Sequence, residues 1–333
     1  MRVGLIVPAD TPPTGGNVIS AQRLKEGLAR LHVDATVDRW HPHLAPYDVY
    51  HAWNAVQVGQ ALVRQGLAPR KIVVTWTGTD LWGDWVTDPA PIRHQLKDIS
   101  HQVVFTPNAR DRLLQDAPEW SSRVQVIPPS VDDGVFRPGP ANRSLTPPWI
   151  VMAGGIRPVK QNAWAIDLVD QARHITGYDL QLAVLGPVRD AQEWHEVLRR
   201  AQNRAWVHIL GEVPKQAMAG WYQRATIVLN SSQIEGVSNA LMEAMACGAL
   251  IMATNIHGNR YLIDPHKTGI LFENVRDFVT EVEWVLTHPA AAAGIRHEAR
   301  RRIASQHLLH QEAQSYLTLY DENIPPGSQR LVL

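Results

Sequence analysis

The feature that most narrows the fold is a repeated alternation: short apolar runs of strand length, separated by stretches with helical spacing. "RVGLIVP" opens the chain and precedes "ISAQRLKEGLARL", in which Leu24, Leu28 and Leu31 share one helical face. "DVYHA", "KIVVTW", "HQVVF" and "VQVIP" follow, each set off by a polar or helix-patterned stretch. A second series runs through "WIVMAGG", "DLQLAVLG", "VHILGE", "TIVLNSS" and "ALIMATN". Between its first two members, Trp164, Leu168, Val169 and Ala172 fall on one side of a helix. Strands that are apolar throughout have no face to give to water, and the amphipathic segments between them supply cover on both sides. The fold class is therefore α/β, built on parallel sheets.

A chain of 333 residues suggests about two domains, each large enough for its own core. The break falls at 143–149, where Pro147 and Pro148 interrupt regular structure. That gives one α/β domain over 1–146 and a second over 147–310, facing a cleft, with a C-terminal helix and tail over 311–333. Leu309, Ala313, Tyr316, Leu317 and Tyr320 make a single stripe near the end of the chain. In such sheets ligands bind beyond the carboxyl ends of the strands, so the loops after each strand carry the argument.

Charge is balanced at 32 basic and 32 acidic side chains, which calls for neither nucleic acid nor an anionic membrane as partner. The opening apolar run is too short for a signal-peptide core, and no later run approaches the ~20 residues of a membrane span. One cysteine excludes an internal disulfide and fits a reducing compartment, so a soluble cytoplasmic protein is expected. The twelve tryptophans suit packing or ligand stacking.

The stretch "SSQIEGVSNALMEAMACG" sets Glu235 beside a glycine in a strand-exit loop and Glu243 inside an apolar helix. Ser238 or Asn239 caps that helix and Gly248 lies past its end. Leu241, Ala244 and Met245 face the sheet, and the free N–H groups around Val237, Ser238, Asn239 and Ala240 form an anion site. Glu243 points away from the apolar stripe; its carboxylate needs ligand hydroxyls or a structural hydrogen bond. Cys247, beside Gly248, reads as a small packing residue. No Asp-x-Asp, His-Glu-x-x-His or Cys-x-x-Cys pattern occurs, so no metal site is expected. "TPPTGGNVISAQRL" is a glycine-rich loop in which Gly15 and Gly16 either let the backbone approach a ligand or simply turn; without G-x-G-x-x-G it is not a dinucleotide site.

"EGVSNALMEAMACG", with "GNRYLI" and "TGILFE" after it, resembles the signature of the retaining family-four glycosyltransferases, which have the two-domain GT-B fold. "VIPPSVDDGVFRP", "DVYHAWN", "GGIRPVKQN", "LAVLGP" and "VHILGEVP" extend the resemblance over most of residues 1–320. The "GIRPVK" and "TGTDL" pieces look most like glycosyltransferase 1 domain-containing proteins and are also similar to selenosugar synthases.

The resemblance implies two Rossmann-like domains and transfer of a sugar from a nucleotide diphosphate donor, a UDP-sugar, with retention. Glu235 then holds hydroxyls of the donor sugar and Glu243 the ribose, since a carboxylate accepts two hydroxyl hydrogens. Arg157 and Lys160 match the family's diphosphate-binding cations, and Gly155, Gly186, Gly211 and Gly236 stand in its donor-side motifs. Catalytic roles thus fall on Arg157, Lys160 and Glu235. Gly15 and Gly16 face the donor phosphate. Asn17, His51, Asn54, Thr77 and Asp80 lie on the acceptor side, with two alternatives open: His51 is a core histidine, and Asp80 caps the helix that follows it. Thr77 stands where many family members have a histidine. Transfer to selenophosphate would draw on Arg23 and Lys25. The nucleotide-sugar is a substrate, so no cofactor is expected; the partners are that donor and a small-molecule or glycan acceptor. An epimerase would need a carboxylate and histidine cluster that cannot be picked out here, and a non-catalytic nucleotide-sugar binder would bind without turnover.

Overall fold

A computed structural model of the chain describes residues 1–139 and 146–322, and it resolves them into two compact units. The boundary stretch read from sequence lies partly outside the described residues, and the tail 323–333 wholly so.

The first unit takes Met1–Ser130 and the chain from His307 onward. Its strands are β1 (Arg2–Val7), β2 (Asp34–Arg39), β3 (Val49–Trp53), β4 (Ile72–Trp76), β5 (His101–Val104) and β6 (Val124–Val126). They pair in parallel in the order β2-β1-β3-β4-β5-β6. Helices α1 (Gly16–Arg30), α2 (Gln60–Arg64), α3 (Pro89–Leu96) and α4 (Pro107–Asp116) lie between strands. The helix read as starting near Ile19 begins at Gly16, with Gly15 as its N-cap, so the glycine pair is the helix entrance itself. Trp76 meets Trp85 edge to face at a ring separation of 5.2 Å, and Trp85 lies tilted against Trp120 at 5.6 Å, which accounts for part of the tryptophan content as packing.

The second unit spans Val131–Gln306. Its strands are β7 (Trp149–Ala153), β8 (Gln181–Leu185), β9 (Val207–Gly211), β10 (Ile227–Asn230), β11 (Ile251–Thr254) and β12 (Ile270–Phe272), all parallel, in the order β12-β11-β10-β7-β8-β9. Between and after them come α5 (Asn162–Thr176), α6 (Ala191–Ala201), α7 (Lys215–Arg224), α8 (Asn239–Ala246), α9 (His257–Leu262), α10 (Val275–Thr287) and α11 (Pro289–Gln306). No helix among the described residues is long and apolar enough to cross a membrane.

Packing divides the chain earlier than its prolines do. Residues 131–139 belong to the second unit: Lys215 Nζ meets Asp132 Oδ2 at 2.6 Å, and Gln223 Nε2 donates to the Arg137 carbonyl at 2.7 Å. The packing break at Ser130/Val131 thus precedes the proline pair, which marks only an interruption of regular structure. The last helix, α12 (Leu309–Glu322), returns to the first unit. Its buried stripe is the one read from sequence, and it lies so close to α1 that a Cβ on Gly27 would sit 2.8 Å from that of Ala313.

Helix α12 also completes a buried polar cluster. His51 Nδ1 meets Tyr320 Oη and His51 Nε2 meets Thr75 Oγ1, each at 2.6 Å, and Thr75 Oγ1 lies 3.2 Å from Tyr316 Oη. Burial pushes the His51 pKa down to about 3, so the imidazole is neutral. The unfolded chain therefore binds the extra proton, and this residue's contribution to stability is complete above about pH 6.5 and is lost as pH falls toward the folded value. Urea unfolding from pH 7 to pH 4 is expected to show a loss of up to about 1.4 kcal/mol per pH unit from His51. His51→Gln, which bonds without titrating, should flatten that slope.

Candidate functional site

In the second sheet the strand order reverses between β7 and β10: the chain moves outward through β8 and β9 on one side and through β11 and β12 on the other. Loops leaving β7 and β10 diverge there and open a crevice at the carboxyl edge. The first loop carries Arg157 and Lys160, the second Glu235.

Several bonds tie these loops together. Gln233 N–H donates to the Val159 carbonyl and Ser231 Oγ to the Lys160 carbonyl, both at 2.9 Å. Lys160 Nζ forms an ion pair with Glu235 Oε1, with the two side chains only 14% and 10% exposed. The same oxygen accepts Asn230 Nδ2 at 3.0 Å and Ser232 Oγ at 2.7 Å. Burial by itself raises the Glu235 pKa; the Lys160 ammonium and the Asn230 and Ser232 donors outweigh it and hold the carboxyl below its ordinary value. Arg157 is exposed, and its guanidinium has no ion-pair or hydrogen-bond partner among the described residues.

Glycines make the crevice possible. Gly186 has φ +141, and a Cβ there would lie 2.1 Å from the Gly154 carbonyl oxygen. Its N–H donates to the Gly211 carbonyl at 2.7 Å. A Cβ on Gly155 would come within 2.8 Å of the Arg189 side chain, and one on Gly258 within 2.4 Å of the Glu235 carbonyl oxygen. Gly258 thus lets the first turn of α9 rest on the backbone of Glu235 and Gly236.

Helix α8 starts beside the ion pair. Ser238 is its N-cap, accepting Leu241 N–H at 3.4 Å, and Gly248 follows its end with φ +76. Val237 is buried; Gly236, Asn239 and Ala240 are half-buried. One turn on, half-buried Glu243 accepts the Tyr222 hydroxyl at 3.2 Å. Burial, aided by the Glu243 charge, pushes the Cys247 thiol up to about 12, in keeping with a packing role.

Residues assigned to the acceptor side sit differently. His51 is fully buried in the cluster described above, which fits its alternative as a core histidine. Asp80 is also fully buried and accepts the N–H groups of Ala55, Thr77, Gly78 and Leu81. Burial raises its pKa to about 6, opposed by those donors. Asp80 pins the loops after β3 and β4. Asn54, with φ 106, turns its side chain onto Gln57 N–H at 2.7 Å. Thr77 and Asn17 are half-buried; Gly15 is half-buried and Gly16 exposed. Arg23 is buried in an ion pair with Glu312 at 3.5 Å, so its charge is committed inside the first unit; Lys25 is exposed. Sequence reasoning missed Asn230, Ser231, Ser232, Tyr222, Gly258 and Asn259. The local signals were the polar "NSS" at the end of an apolar strand and the "GNRYLI" stretch that holds Gly258 and Asn259.

Residues 147–288 match the family described as glycosyl transferases group 1. That segment holds Arg157, Lys160, Glu235 and Glu243. Glycosyltransferase 1 domain-containing protein 1 of Xenopus tropicalis is 29% identical over 169 residues, 51% of this chain and 49% of its own length. D-inositol 3-phosphate glycosyltransferase of Paenarthrobacter aurescens is 28% identical over 190 residues, 51% of this chain and 44% of its own length. The chain spans about half the length of these curated relatives. Among solved structures, HepE of Anabaena, in complex with UDP and glucose, superposes with a TM-score of 0.78 at 14% identity, covering 96% of this chain and 99% of HepE. That likeness concerns the fold, and it is the GT-B fold.

This segment owes its ion pair to two loops that must stay together, and removing one partner tests this. Lys160→Met leaves a buried carboxylate without countercharge and should cost about 3 kcal/mol at neutral pH. In the parent, Glu235 stabilises above its unfolded pKa of about 4.3 and loses that contribution as pH falls further. In the variant desolvation dominates and raises the folded pKa, so the penalty should shrink as pH falls toward 5, measured by urea unfolding.

Proposed function

We propose that this chain is a retaining, metal-independent glycosyltransferase that moves a sugar from a UDP-sugar to a small-molecule or glycan acceptor. The observation that carries the reading is the grouping at the strand reversal: a Lys160–Glu235 pair, an uncommitted Arg157 three residues before Lys160, and the amino end of α8. A guanidinium grips a phosphate through two parallel bonds, an ammonium acts as a point charge, and the amino end of a helix adds partial positive charge. Each charge-assisted bond contributes roughly 1.5–3 kcal/mol. What matters for rate is the fraction gained only as the anomeric C–O bond breaks and negative charge gathers on the leaving diphosphate.

Glu235 takes the sugar hydroxyls and Glu243 the ribose diol. The acceptor oxygen bonds to the anomeric carbon on the face the phosphate leaves. The departing phosphate oxygen keeps the electron pair of the broken bond and takes the acceptor's proton, so no protein nucleophile is required. The names of the matched relatives, and UDP in the HepE complex, support this choice of reaction and of base.

Thermal unfolding with UDP, GDP, ADP and CDP tests the donor. UDP at 100 times its dissociation constant should add about 2.7 kcal/mol, and the other bases less. Arg157→Ala should leave the melting temperature unchanged and lower sugar transfer by about 100-fold or more, with EDTA harmless to the parent. If no nucleotide shifts the melt, the reading fails.

A further inference from the structure

Asn230, the last residue of β10, is buried and spends its whole side-chain amide inside the site. Its Nδ2 donates to Glu235 Oε1 at 3.0 Å and to Ser238 Oγ at 3.2 Å. Its Oδ1 accepts Ser232 N–H at 3.0 Å and Asn259 Nδ2 at 3.3 Å. A primary amide has two donor hydrogens and two acceptor lone pairs, so nothing is left over. The orientation is forced, because a carboxylate can only accept and a backbone N–H can only donate. Asn259, fully buried, is fixed in the same way: its Nδ2 faces the Asn230 carbonyl oxygen, the Thr254 carbonyl at 3.0 Å and Thr254 Oγ1 at 3.3 Å, all acceptors. Donation therefore runs one way, from α9 through Asn230 to Glu235, and each bond polarises the next.

Two consequences follow from this bonding. Asn230 joins the Glu235 carboxylate to the N-cap of α8 through a single rigid group, so the spacing between the loop acid and the helix end is set by one side chain. Moreover, all three donors to Glu235 fall on Oε1: Lys160, Asn230 and Ser232. Oε2 takes part in no hydrogen bond among the described residues, and the side chain is 10% exposed. One oxygen is anchored, and the other is left for a ligand.

We propose that Asn230 is a positioning residue that fixes Glu235 against the amino end of α8, so that Oε2 meets the sugar while the helix end meets the diphosphate. This rests on the UDP-sugar reading above. Asn230 touches no part of the ligand itself; it acts through Glu235. Asp at this position keeps the size but replaces the donor by a second carboxylate oxygen beside Oε1, and Ala removes the joint altogether.

The test compares isothermal titration of bare UDP and of UDP-glucose for the parent, Asn230→Ala, Asn230→Asp, Glu235→Gln, and Asn230→Ala combined with Glu235→Gln. Both Asn230 variants should hold UDP within about threefold of the parent and lose UDP-glucose affinity by about tenfold or more, as one lost charged hydrogen bond would. Glu235→Gln should lose a similar amount, and the double variant no more than the larger single loss, because the two residues act as one unit. Equal losses for UDP and UDP-glucose, no loss at all, or fully additive losses in the double variant would each overturn the proposal. Hydrogen exchange of the ligand-free protein is measured alongside: amides at 233–237 should exchange faster in Asn230→Ala, with the β7 and β8 amides unchanged. A parent that binds neither nucleotide overturns the donor reading. In that case unchanged exchange at 233–237 also overturns the positioning role, and faster exchange confined to that loop upholds it.

Discussion

A carboxylate taken almost wholly out of water needs a countercharge and hydrogen-bond donors close at hand, and the second unit is arranged around meeting that need for Glu235. The countercharge comes from the loop after β7, the donors from the end of β10, and the two strands are neighbours only because the sheet order reverses between them. The glycines at 186 and 258 serve the same end, since each lets one backbone segment come nearer to another than any side chain would permit. A pair of this kind is weak evidence for stability: apolar residues of similar volume often fold equally well or better. Its physical consequence is an electric field and a fixed geometry at the mouth of the crevice.

The first unit shows what the same type of sheet does when its polar residues are consumed internally. Asp80 satisfies four backbone N–H groups, and His51 spends both ring nitrogens on Thr75 and Tyr320. Arg23 is paired with Glu312. These groups hold the strand-exit loops and α12 in place. In the second unit, by contrast, neither the Arg157 guanidinium nor Glu235 Oε2 has a hydrogen-bond or ion-pair partner among the described residues. A residue type at a strand end is therefore not sufficient for a functional role; what counts is whether its hydrogen-bonding capacity is already filled.

That distinction explains what was legible in the sequence. Ten of the strands were readable as short, mostly apolar runs set off by helix-patterned stretches, whereas β2, "DATVDR", alternates as a sheet-edge strand does. Helix α8, its Ser238 cap and its two glutamates were legible because cap, loop and helix lie within one short stretch. The Asn259–Asn230 contact joins residues 29 positions apart and exists only once β10 and α9 are packed, so no local pattern announces it. For the same reason the proline pair indicated where regular structure stops but not where packing changes, which depends on Asp132 and Arg137 reaching α7.

The two cations after β7 are not equivalent, and under the proposed function their difference would give each distinct work. Lys160 is held by Glu235 before any ligand arrives, so its charge is fixed in place and partly neutralised. Arg157 is extended at the N-cap of a short turn, in water, with its full charge available. Under the proposed function, an arriving dianion would gain most from the Arg157 guanidinium, which has no partner among the described residues to give up. The ammonium must share itself between the dianion and Glu235. Under the proposed function, sharing would draw the diphosphate toward the carboxylate proposed to grip the sugar, and so orient the bond between them. A site with two free cations would bind the anion more tightly but would leave that bond unoriented, and only orientation toward the breaking bond lowers the barrier to transfer.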